Sequence, residues 1–128
     1  MIEVYIDGAS AGDPGKSGAG VFIKGNGQNE QLSFPLGVMT NHEAEFHALI
    51  KALEVCLHKD FKIISIRTDS QLVEHAVDKQ FVKNTLYAPM LKKVLELVEL
   101  FDLFFIKWIP SSENKVADKL ARSAILKQ

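Results

Sequence analysis

The sequence predicts one α/β domain built on a mixed β-sheet. Three observations carry that expectation: an opening stretch of alternating apolar and polar residues, a hairpin signal at Gly25-Asn26-Gly27, and a later alternation of apolar strands with amphipathic helical stretches. Strands followed by alternating helices and strands require parallel crossovers covered by helices. With 128 residues, 47% hydrophobic and 24% charged, the chain is long enough to bury its own core as a single domain over residues 1–128.

Ile2, Val4 and Ile6 alternate with Glu3, Tyr5 and Asp7, the period-2 pattern of a strand, which Gly8 and then Gly12-Asp13-Pro14-Gly15 bring to an end. Asp7 therefore stands at a strand's C-terminal end. Residues 18–25 and 30–37 read as two further strands across the Gly25-Asn26-Gly27 turn. Asn41 reads as the N-cap of a helix over 42–58. Residues 61–68, rich in β-branched side chains, read as a buried fourth strand, and Asp69 follows its C-terminal end. Residues 70–79 and 89–100 read as helices, 103–109 as a fifth strand stopped by Pro110, and 112–126 as a last helix. Ligands of open sheets gather beyond the C-terminal ends of the parallel strands, where Asp7 and Asp69 both point.

Fifteen basic and sixteen acidic residues give a formal net charge of -1, so no overall basic field announces a polyanionic partner. The balance is uneven, however. Residues 1–78 carry 6 basic and 11 acidic side chains, and residues 79–128 carry 9 and 5. Divalent cations held by those acids would make the working protein more positive than its sequence. The single cysteine, Cys56, excludes a disulfide framework and points to a reducing, cytoplasmic location. No apolar run approaches the roughly 18 residues of a membrane span.

On a helical wheel Glu45 falls among Ala48, Leu49, Ala52, Leu53 and Cys56, whereas Glu54 shares the opposite face with His47 and Lys51. A carboxylate on an apolar stripe must be paired, protonated or bound to a cation. Asp118 lies at the margin of the stripe formed by Val116, Ala117, Leu120, Ala121 and Ala124. Each of Asp7, Glu45, Asp69 and Asp118 alone has a structural reading as turn former, cap or helix edge. Together, two aspartates at strand ends and two acids on inward helix margins form a set of like charges that divalent cations would hold together. An all-oxygen donor set favours Mg²⁺ or Mn²⁺ over zinc. Two such ions about 4 Å apart are a device for in-line phosphoryl displacement.

The stretches Tyr5-Ile6-Asp7-Gly8-Ala9-Ser10 with Gly12-Asp13-Pro14-Gly15, Thr40-Asn41-His42-Glu43-Ala44-Glu45, Thr68-Asp69-Ser70-Gln71, and Asn114-Lys115-Val116-Ala117-Asp118-Lys119-Leu120-Ala121 together resemble type 1 ribonuclease H, in order and over nearly the whole chain. The resemblance implies a five-stranded mixed sheet of order 3-2-1-4-5, strand 2 antiparallel, flanked by helices. It implies an endoribonuclease that cuts the RNA strand of RNA–DNA hybrids and leaves 3′-hydroxyl and 5′-phosphate ends. Asp7, Glu45, Asp69 and Asp118 match the family's catalytic, metal-binding carboxylates, which hold two Mg²⁺ ions, with Mn²⁺ as a substitute. Gly8, Ser10, Gly12, Asn41, Ser70 and Gln71 match positions that contact the minor groove of the hybrid, where 2′-hydroxyls are displayed.

Two features of many family members are absent. The stretch Trp108-Ile109-Pro110-Ser111-Ser112-Glu113-Asn114 carries no histidine, as in the subset that resembles archaeal enzymes. Between Ala76 and Leu91 there is no basic, Trp-containing protrusion, only Lys79, Lys83 and Tyr87. Asp13, where many members have asparagine, adds negative charge near a phosphate path. Weaker grip on substrate, an accessory nucleic-acid-binding partner and a monomeric state are the expectations. A hybrid- or RNA-binding module with little cleavage is the alternative reading. A related exonuclease is disfavoured because Ala9 stands where those enzymes place a second acid. Trp108 reads as core packing, and His42, His47, His58 and His75 as surface or capping residues.

Overall fold

A computed structural model describes all residues, 1–128. Five strands, β1 (Ile2–Ser10), β2 (Gly15–Gly25), β3 (Gln28–Met39), β4 (Ile63–Thr68) and β5 (Leu103–Trp108), form one sheet in the order β3-β2-β1-β4-β5. Neighbours β3, β2 and β1 pair antiparallel, whereas β4 runs parallel to both β1 and β5. Four helices flank it: α1 (Asn41–His58), α2 (Gln71–Lys79), α3 (Ala88–Val98) and α4 (Lys115–Leu126). No helix is long and apolar enough to cross a membrane.

The even residues of β1, Ile2, Val4 and Ile6, face α1 and join Phe46, Leu49, Leu53, Ile64 and Ile66 in the central core. Helix α4 covers the other face of β1, β2 and β3. Its approach is close: a Cβ on Gly20 would stand 2.1 Å from the Ala117 carbonyl oxygen, and one on Gly18 would stand 2.4 Å from that of Ala121. Asn26 and Gly27 at the β2–β3 turn both adopt positive φ, 52° and 80°, as a tight hairpin requires.

The first three strands are longer than the sequence pattern indicates. The β1–β2 ladder runs on to Ser10 paired with Ser17, so Gly8 does not stop β1. The last helix is shorter at its start, because a 3₁₀ turn over Ser111–Glu113 precedes α4. Thr40, rather than Asn41, caps α1. Thr40 Oγ1 accepts from the Glu43 amide at 3.3 Å, and Glu43 Oε1 accepts from the Thr40 amide at 2.9 Å, a reciprocal capping box. These bonds hold the Glu43 carboxyl below its usual range. Thr40→Ala is expected to lower stability by about 1 kcal/mol, read as a shifted midpoint in urea denaturation.

Candidate active site

Parallel pairing of β1 with β4 sets Ile6 opposite Thr68, so Asp7 and Asp69 emerge side by side where the two central strands end. Asp7 is 9% exposed. It lies within hydrogen-bonding reach of both Asp69 and Asp118. Burial, then the Asp69 and Asp118 carboxylates, push the Asp7 carboxyl up to about 9. Burial also raises Asp69 and Glu45 above the ordinary carboxylate range. Three of the four sequence-derived acids thus share a desolvated, self-repelling neighbourhood.

Asp118 and Glu45 reach this neighbourhood from opposite faces of the sheet, on α4 and α1. Arg122 Nε donates to both Asp118 oxygens, at 3.1 and 3.0 Å, one turn along α4. That pair is exposed, so exchanging it for a cation costs little. Glu45 Oε1 lies 2.8 Å from His42 Nδ1 on α1, and Ser70, which caps α2, lines the same groove. No three of the acids stand at ligating geometry about one point. Of the outer two, Arg122 bonds both oxygens of Asp118 and His42 bonds one oxygen of Glu45.

Four carboxylates and no sulfur or imidazole-only cluster make a hard-oxygen donor set suited to Mg²⁺ or Mn²⁺. A buried amide borders the same acids. Asn114, 1% exposed, donates Nδ2 to the Ile6 carbonyl at 2.8 Å, while its Oδ1 has no hydrogen-bond partner. The orphaned Oδ1 is sealed from solvent, and the donor end of the same amide neighbours Asp69. Because the Asn114 side chain is committed to β1, it does not cap α4. The single thiol is inert: Cys56 is buried, and burial pushes it up to about 12.

Alongside the acids runs a groove of about 430 Å³ lined by Asn41, His42, Glu45, Asp69, Ser70, Gln71, Leu72 and Trp108. Asn41, Ser70 and Gln71 therefore stand together beside the carboxylates. Gly8, Ser10 and Gly12 do not line it. A Cβ on Gly8 would meet the Ala44 carbonyl oxygen at 2.2 Å, so this glycine admits α1 to β1. Ser10 Oγ donates to the backbone of Gly12 and to the Met39 carbonyl, tying the loop after β1 to the end of β3. Asp13 Oδ1 accepts from the Asn41 amide at 3.1 Å, which assigns its charge to the N-terminus of α1.

Trp108 is not a core residue. It is 41% exposed, and its indole Nε1 donates to the Asp69 carbonyl at 3.1 Å. Its position at the end of an alternating strand was the available signal for a groove-side location. Tyr87, by contrast, is 9% exposed and packs inward.

A family model described as reverse transcriptase-like matches residues 5–124. An Enterococcus faecalis protein that carries the provisional name hydrolase EbsB is 39% identical over 99% of this chain and 96% of its own length. The crystal structure of RNase H1 from the halophilic archaeon Halobacterium salinarum superposes with a TM-score of 0.92 at 34% identity, covering 99% of this chain and 98% of that one. The chain belongs to the type 1 ribonuclease H family. Type 1 ribonucleases H are divalent-metal-dependent enzymes, in keeping with the donor set described above. Another ribonuclease H of similar fold, LC11-RNase H1, was crystallised in complex with an RNA/DNA hybrid; it matches with a TM-score of 0.90 and 30% identity over 99% of this chain and 98% of that one.

Proposed function

We propose that the chain hydrolyses the RNA strand of RNA–DNA hybrids as a two-metal-ion endoribonuclease, with Asp7, Glu45, Asp69 and Asp118 as the metal-holding acids. The observation that carries this reading is the buried Asp7 carboxyl, wedged between Asp69 and Asp118 and raised to about 9. Structural needs alone do not account for a carboxylate kept in that setting, since removing it would relieve repulsion.

When bound, two divalent cations would activate a water for attack on the scissile phosphorus and neutralise charge on the departing 3′ oxygen. Asp7 and Asp69 would hold the cations most directly, with Glu45 and Asp118 completing the sites. Asn41, Ser70 and Gln71 offer donors and acceptors along the groove, suited to the 2′-hydroxyls and base edges of a hybrid minor groove. Asn114 fixes the start of α4 against β1 through Ile6, which keeps Asp118 near Asp7. Lys79, which ends α2, and Lys83, between α2 and α3, are the basic side chains here, so grip on the DNA strand is modest.

The test is cleavage of a labelled hybrid beside all-RNA and all-DNA duplexes, with Mg²⁺, Mn²⁺ or chelator. The expected result is cleavage of the RNA strand of the hybrid alone, ending in 5′-phosphates and abolished by chelator. Tight hybrid binding in Ca²⁺ with no turnover in Mg²⁺ or Mn²⁺ at any enzyme concentration would establish a binding module instead.

A further inference from the structure

The loop between β5 and α4 has no histidine, yet an imidazole stands in the site from another direction. His42 Nδ1 lies 2.8 Å from Glu45 Oε1, with the Glu45 side chain 13% exposed and that of His42 55% exposed. Three residues apart in the first turns of α1, the two side chains share one face. The imidazole is held from behind. Its ring meets Tyr87 edge-on, centroids 6.1 Å apart at 79°, and Tyr87 stacks on Phe46 at 5.5 Å and 26°. Phe46 is fully buried. Tyr87 ends the 3₁₀ turn Thr85–Tyr87, whose cap Asn84 accepts from the Leu86 amide at 2.9 Å. A column of side chains, Phe46–Tyr87–His42–Glu45, therefore runs from the core to the groove and ties the α2–α3 connection to the site.

Because an ionised carboxylate can only accept, the Nδ1 of His42 must carry the proton in this bond. Glu45 has three rotatable side-chain bonds, and the His42 donor one turn back on α1 limits its rotamers. Hydrogen-bond partners of a ligating carboxylate typically govern activity about 10- to 100-fold by fixing its orientation. An exposed helical pair at this spacing contributes little to stability, so function and folding are separable here.

We propose that His42, propped by Tyr87, is a positioning residue that aims the Glu45 carboxylate into the groove. The proposal rests on the assignment of Glu45 to the hybrid-cleaving centre. The full chain is compared with His42→Ala, His42→Asn and Tyr87→Ala, with Asp69→Asn as a control. Asparagine can place a side-chain N–H near the position of Nδ1. In hybrid cleavage, His42→Ala is expected to lower kcat about 10-fold or more with KM within about twofold, and His42→Asn to recover to within about threefold of wild type. Tyr87→Ala is expected to lower kcat in the same direction without raising KM.

The second readout requires no metal or substrate. Long-range ¹⁵N–¹H spectra at about pH 8.5, above the ordinary imidazole range, are expected to show His42 as the Nδ1–H tautomer. In Glu45→Ala the Nε2–H tautomer should return. A wild-type Nε2–H tautomer, an asparagine variant no better than alanine, or a loss confined to KM overturns the proposal. If wild type and Asp69→Asn are equally silent in cleavage, the catalytic reading fails on its own. The tautomer then still decides whether His42 holds Glu45.

Discussion

Asp7→Asn is expected to yield a protein that melts higher than wild type in chelator and cleaves hybrid on the order of a thousandfold more slowly. Both effects have one origin. Burial, Asp69 and Asp118 raise the Asp7 carboxyl from 3.8 to about 9 in the folded chain. Between those values the native state holds a proton that the unfolded chain has released, so stability falls as pH rises from about 4 to about 9. Asparagine keeps the shape and removes the ionisation, so the melting temperature should rise by at least about 3 °C near pH 8 and its slope with pH should flatten. The same substitution deletes a charge from the cation-binding set, and activity disappears with it. Thermal melts in chelator from pH 5 to 9, paired with cleavage rates in Mg²⁺, measure the two effects. A lower melting temperature, or activity within about tenfold of wild type, contradicts the assignment of Asp7.

Much of this site was legible because strand ends and helical wheels report direction. The alternation Ile2, Val4, Ile6 fixes the face of Asp7, and the apolar neighbours of Glu45 fix its inward aspect, 13% exposed in the structure. The sheet order followed from the family resemblance, and the β1–β4 register from neither periodicity nor composition. Local patterns were weaker where a residue's partner lies far along the chain. Asn114 falls inside the last helix that the sequence predicts, but its side chain bonds the Ile6 carbonyl 108 positions away. Trp108 sits at the end of an apolar strand and so reads as core, whereas the strand stops at the groove and its indole donates to the Asp69 carbonyl. His42 gave no metal-ligand spacing, and its link to Tyr87 crosses from α1 to the start of α3. Thr40 and Asn41 are both competent caps, and the Glu43 side chain three residues after Thr40 decides between them.

Gly8→Ala is expected to destabilise the fold by about 3 kcal/mol or more and to abolish cleavage even where the variant folds. The added Cβ would stand 2.2 Å from the Ala44 carbonyl oxygen, 2.3 Å from its carbon and 2.5 Å from the Glu45 nitrogen. All three are backbone atoms, so no side-chain rotation relieves the contact. β1 cannot yield cheaply, because it is paired with β2 through Gly8 to Ser10 and with β4 as far as Ile6. α1 cannot yield cheaply, since Phe46, Leu49 and Leu53 anchor it in the core. Whatever does move carries the Glu45 backbone away from Asp7, which couples the loss of packing to the loss of the site. Gly27→Ala separates crowding from backbone conformation. Gly27 has φ of +80° and nothing within 4 Å of an added Cβ, so alanine there brings strain alone, about 1 kcal/mol. Urea denaturation should therefore show Gly8→Ala losing at least about twice as much stability as Gly27→Ala, with only the former inactive. Equal losses would mean that strand and helix part easily, and that the tight seat of α1 on β1 is not what brings Asp7 and Glu45 together.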